Sequence, residues 1–99
     1  MIKHIVMWKF MDAEGKSASQ HALDVKSRLE ALHQQLKFIK KLEVHLNEGD
    51  SGRNFDAVLI TEFDSFEDLN LYQNHPDHKA ISAFVSTVRT DRACVDYTI

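Results

Sequence analysis

The segment that opens this chain alternates like a β-strand yet is apolar on both of its sides. From Ile2 to Phe10, a period of two sets Ile2, His4, Val6, Trp8 and Phe10 on one side and Lys3, Ile5, Met7 and Lys9 on the other. The same pattern returns between Phe55 and Phe63, with Phe55, Ala57, Leu59, Thr61 and Phe63 opposed to Asp56, Val58, Ile60 and Glu62. A sheet built from such strands has two faces to shield from water. Helices cover only one face of a small antiparallel sheet, so Ile5, Met7, Val58 and Ile60 require a second cover. With 99 residues the chain buries a modest share of its surface, and a second copy of itself would supply that cover.

The remaining pattern reads as one domain over residues 1–99. Ser17 and Gln20 form a capping box ahead of a helix whose Ala18, Ala22, Val25, Leu29, Leu32 and Leu36 step by three and four. Leu42, Val44 and Leu46 alternate as a second strand, and a polar, glycine-containing loop from Asn47 to Asn54 leads into the third. Ser65 and Asp68 open a short helix carrying Phe66, Leu69 and Tyr72. A further helix presents Ile81, Phe84, Val85 and Val88, and Ala93, Val95 and Tyr97 alternate with Cys94 and Asp96 as a last strand. This order predicts an α+β, ferredoxin-like β-α-β-β-α-(α)-β unit with an antiparallel sheet, and two such sheets packed face to face make a dimeric α+β barrel.

Charge and composition exclude several classes of function. A formal charge of −3, with cations scattered among acids, offers no attraction to nucleic acid or to an anionic membrane. No apolar run is long enough to span a bilayer, and the amino terminus lacks the apolar core of a secretory signal, which predicts a cytoplasmic protein. Cys94, the single cysteine, is expected as a reduced, packed thiol. There is no glycine-rich phosphate loop, no nucleophile elbow and no cysteine pair of zinc-site spacing, so neither a metal nor another cofactor is expected.

Chemistry concentrates around the only proline. In Tyr72-Gln73-Asn74-His75-Pro76-Asp77-His78, Pro76 disfavours helical geometry at His75 and suits the first turn of a new helix. One helix should end near Asn74 and the next begin at Pro76. His78 then lies in a first turn, where free amides and the positive end of the dipole favour neutral imidazole, a form able to accept a proton. Each residue also has a plain structural role available. His4 can be a satisfied core histidine, Tyr72 a core aromatic, and His75 a cap at the junction. His75 and His78 are spaced as metal ligands can be, without a set to complete them. His21, His33 and His45 are expected on solvated or boundary faces.

The opening His4-Ile5-Val6-Met7-Trp8-Lys9-Phe10, the Tyr72-x-x-His75-Pro76-x-His78 segment and the closing Val95-Asp96-Tyr97 together resemble the stress-responsive A/B barrel (Dabb) family. The resemblance implies a ferredoxin-like homodimer. In plant polyketide cyclases of this family a tyrosine and a histidine match Tyr72 and His78, and a first-strand histidine matching His4 lines the same cavity. The chain departs from them at Ala57, where the cyclases carry another histidine, and near Lys26, where they place a pocket aromatic.

On this reading a small apolar pocket lies between sheet and helices, with Trp8, Leu59 and Phe84 helping to shape it. It would take a small aromatic or β-keto molecule. His78 would remove a proton next to a carbonyl, Tyr72 would hydrogen-bond the carbonyl oxygen, and His4 would orient the ligand, as in a cyclase, lyase or isomerase that needs no cofactor. The alternative is a non-catalytic oligomeric stress-response protein in which these side chains satisfy one another.

Overall fold

A computed structural model describes residues 1–99. The elements run β1 (Ile2–Phe10), α1 (Ala18–Gln35), β2 (Lys41–Leu46), β3 (Ala57–Phe63), α2 (Phe66–Asn74), α3 (Pro76–Val88) and β4 (Arg89–Thr98). The four strands form one sheet in the order β2-β3-β1-β4, with every neighbouring pair antiparallel. This is the ferredoxin-like α+β arrangement.

Register decides what each face carries. Ile5 pairs with Ile60 on one side and Val95 on the other, and Met7 pairs with Val58 and Ala93, so the outer face holds two apolar rows. On the helix side, His4 lies between Thr61 and Asp96, Val6 between Leu59 and Cys94, and Trp8 between Ala57 and Arg92. The helix-side rows therefore end on β4 in polar groups. Helix cover stops there, and β4 is almost wholly exposed.

The helix side forms the core. Val6, Trp8, Phe10, Leu59, Val44, Val25, Leu29, Val85 and Val88 pack as one cluster, and Ile2, Phe63, Leu32, Ile39, Leu69 and Tyr72 as a second. The first helix starts where its capping box requires: Ser17 Oγ accepts from the Gln20 amide, and the Ser17 amide donates to Gln20 Oε1. Ser17→Ala is expected to lower stability by about 1 kcal/mol, measured as a shift in urea midpoint at constant slope.

Several expectations need correction. The third strand begins at Ala57, two residues late: the chain bends at Asp56, whose amide still donates to the Trp8 carbonyl and whose carbonyl still accepts from the Asn47 amide, while its carboxylate accepts from the Phe10 amide at 2.7 Å. Phe55 lies outside the strand, with the Lys9 ammonium 5.4 Å from its ring centre. Phe66, first in α2, is exposed. His21 is buried, not solvated: its Nε2–H donates to the Ala13 carbonyl at 2.7 Å and ties the loop after β1 to α1. Cys94 is exposed on the edge strand, not packed.

Candidate functional site

Pro76 divides the second helical segment as its ring chemistry demands. His75 serves both helices: its amide closes onto the Tyr72 carbonyl as the C-cap of α2, and its Nδ1 accepts from the Asp77 amide as the N-cap of α3. His75 is thus occupied as a cap. The change of axis turns Tyr72 and His78 toward each other, with ring centres 4.3 Å apart and planes inclined by 50°.

Tyr72 is fully buried between Phe63, 5.2 Å away, and the edge of His4, 6.3 Å away. Its hydroxyl has no hydrogen-bond partner in the protein. Burial holds the phenol protonated by pushing its pKa far above the ordinary value. A buried O–H without an acceptor is costly, so this group is a donor in want of a ligand or a water.

Each histidine has one ring nitrogen fixed by an acceptor. His4 Nδ1 meets the Asp96 carboxylate across the β1–β4 ladder. His78 Nδ1 lies 3.2 Å from the Gln73 carbonyl, one of the acceptors that a helix end leaves unpaired. Carboxylate and carbonyl oxygens only accept, so in both rings Nδ1 carries the proton when the ring is neutral. The lone pair is then on Nε2. Burial lowers the pKa of His78, and the charges of His4, Arg92 and His75 lower it further against the opposing bond to Gln73. A first-turn location suggests the same direction, but desolvation is the leading cause. His78 is a neutral base at neutral pH.

His4, Trp8, Leu59, Tyr72 and His78 line one cavity between sheet and helices, closed by Leu29, Ile81 and Val85. Its volume is about 40 Å³, room for roughly three waters. Arg92 and Ser82 are exposed and Gln73 is half-buried, so they mark its mouth. Phe84 is not among its lining residues: its ring lies under the Arg28 guanidinium at 4.0 Å and tilted against His21 at 6.1 Å. Sequence reasoning missed Arg92, Gln73 and the role of Asp96. The signal for Arg92 and Asp96 was parity on β4, usable only once the β1–β4 register is known.

The side chains that could hold a metal are His4, Cys94 and Asp96, whose ligand atoms all lie within 4.8 Å of one another. His75 and His78, whose spacing alone is that of possible ligands, are not part of this group. The nitrogen in question is His4 Nδ1, which already donates to Asp96, so a cation would have to replace that proton.

A family model described as the stress responsive A/B barrel domain matches residues 2–99. The chain belongs to that family. No curated protein matches it. Among solved structures, a dimeric ferredoxin-like protein of Bacteroides fragilis is 32% identical, covering 99% of this chain and 95% of its own, with a TM-score of 0.82. A dimeric ferredoxin-like protein of Thermobifida fusca is 23% identical over 99% and 90%, at 0.83. The hydroxynitrile lyase of Passiflora edulis is 16% identical over 99% and 92%, at 0.80. The last two likenesses concern the fold alone. The stress-responsive A/B barrel fold is thus matched over nearly every residue, and no helix of this chain is long and apolar enough to cross a membrane.

Proposed function

We propose that this A/B barrel protein is a homodimer that binds a small carbonyl compound between sheet and helices and moves a proton on it. The observation that carries the reading is the buried, unpartnered Tyr72 hydroxyl, sharing a cavity with His78, whose free lone pair is on Nε2, and with His4. His78 Nε2 takes a proton from the carbon next to the carbonyl. The C–H electrons become the new C=C bond, and the carbonyl π pair moves to oxygen, where the Tyr72 O–H stabilises the developing enolate. Return of the proton from His78 to either end of the enolate completes an exchange or isomerisation. His4, held by Asp96, orients the carbonyl. These steps draw on side chains of this chain only.

Self-association is supported by the Bacteroides fragilis relative, which is dimeric, and by exposure of Met7, Val95 and Tyr97 on the outer face. The cavity favours a short oxo compound over an aromatic ring, because three waters' worth of space does not admit a ring without movement of α2 and α3. The same small volume favours the competing reading, a non-catalytic oligomer in which Tyr72 and His78 merely pack.

The test is deuterium exchange. Butanone, methyl acetoacetate and their acid counterparts, incubated in heavy water with the protein, are expected to exchange the hydrogens next to the carbonyl faster than in buffer, followed by proton NMR. No acceleration with any of them, at protein concentrations where the dimer is intact, leaves the packing reading.

A further inference from the structure

We infer that the ligand of this cavity is an anion, a short oxo-carboxylate, and that Arg92 sets this specificity by pairing with the carboxylate at the cavity mouth. The inference rests on the proton-transfer reading for the carbonyl end of the ligand and adds the group at its other end.

Arg92 stands opposite Trp8 in the β1–β4 register, on the same side of the sheet as His4, and lines the cavity with Tyr72 and His78. It is exposed and takes part in none of the protein's ion pairs, which engage Lys3, His4, Arg28, Lys40, Lys41, His45 and His75. Asp96, the carboxylate on the same side of β4, is already bound to His4. A guanidinium at the edge of the cavity, with the Cys94 thiol as its only side-chain neighbour in hydrogen-bond reach, therefore keeps most of its planar fork of donors free, the geometry that matches a carboxylate with two parallel hydrogen bonds.

The two ends of the site then ask for different groups. Deep inside, the Tyr72 hydroxyl needs an acceptor and is surrounded by Phe63 and His4. At the mouth, Arg92 needs an anion that stays in contact with water. A molecule with a carbonyl at one end and a carboxylate at the other, only a few carbons long, satisfies both, its carbonyl end in the cavity and its carboxylate outside at the mouth. A neutral ketone would satisfy only the first. The pairing also helps the chemistry, since an anion held at Arg92 fixes which carbon faces His78. The chain as a whole carries −3, so attraction for a carboxylate must be local to this edge.

Trp8 is the only tryptophan and lines the cavity, which makes its fluorescence a direct report of occupancy. The probes are acetoacetate and 2-oxobutanoate, each against a neutral counterpart, methyl acetoacetate and butanone. Wild-type protein is expected to bind the acids about 10- to 100-fold more tightly than the neutral compounds, and Arg92→Gln to bring that ratio close to one. Arg92→Lys should retain part of it. Thermal melting checks that the variants fold, as expected for an exposed edge position.

Equal binding of acid and neutral compound by the wild type, a ratio unchanged by Arg92→Gln, or no binding of either acid overturns the inference. The two readings fail separately. Arg92-dependent binding of the acids without deuterium exchange keeps the anion site and removes the proton transfer. Exchange on neutral ketones that is indifferent to Arg92 keeps the proton transfer and removes the anion site.

Discussion

His78→Gln is expected to slow deuterium exchange by about 10²- to 10⁴-fold, the usual contribution of a positioned base, while the melting temperature changes little. The ring is half-buried, and the glutamine amide can still donate to the Gln73 carbonyl. Tyr72→Phe should also suppress exchange, without loss of stability. It removes a buried hydroxyl that has no partner, so the folded state should keep its stability or gain up to about 1–3 kcal/mol. A phenylalanine variant that is less stable than the wild type would identify the hydroxyl as structural and refute the working-site reading.

The pH dependence follows from the direction of the His78 shift. Its pKa in the folded protein lies below 6.5, so neutral imidazole predominates at neutral pH and exchange falls only as the pH drops through that lowered value. Stability follows the same group. Above about 6.5 neither folded nor unfolded His78 is protonated. Below it the unfolded chain takes up a proton first, so the stabilisation is lost as the pH falls from 6.5 through the folded pKa. In His78→Gln that component of the acid profile should vanish, a change visible in urea titrations between pH 7 and 5.

Much of this was legible because local chemistry dictates it. Pro76 and His75 fix the break between α2 and α3 by backbone restriction alone, and Ser17 with Gln20 fixes the start of α1 through two hydrogen bonds close in sequence. Period-two alternation gave both faces of β1 and β3. What was not legible depends on contacts between distant segments. Asp56 bends at the start of β3 with its carboxylate on Phe10, forty-six residues away, and His21 is buried where a loop carbonyl at Ala13 meets it. Phe84 carries the helical periodicity of a cavity residue, yet Arg28 and His21 on α1 draw its ring to the other side. Arg92 and Asp96 look like solvated edge charges until pairing with Trp8 and His4 shows which way they face.

Adjacent residues on β3 offer the sharpest separation of folding from assembly. Leu59 faces the helices and is buried in the core, while Ile60 faces outward between Glu43 and Ile5 in the register. Leu59→Asp places an unpaired charge in a closed interior and is expected to prevent folding. Ile60→Asp places the same charge on a face that is open in one chain and covered only in a dimer. The expected product is a folded monomer, because the cost of desolvating the carboxylate is incurred on association and not on folding. That cost, about 3 kcal/mol, raises the dimer Kd roughly a hundredfold. Light scattering at low micromolar concentration should report a dimer for the wild type and a monomer for Ile60→Asp, with helix and strand content preserved by circular dichroism. A stable wild-type monomer at that concentration refutes the homodimer. An Ile60→Asp variant that stays dimeric moves the interface away from this sheet face, and leaves the apolar rows of Ile5, Met7, Val58 and Val95 without the partner that their pattern in the chain demands.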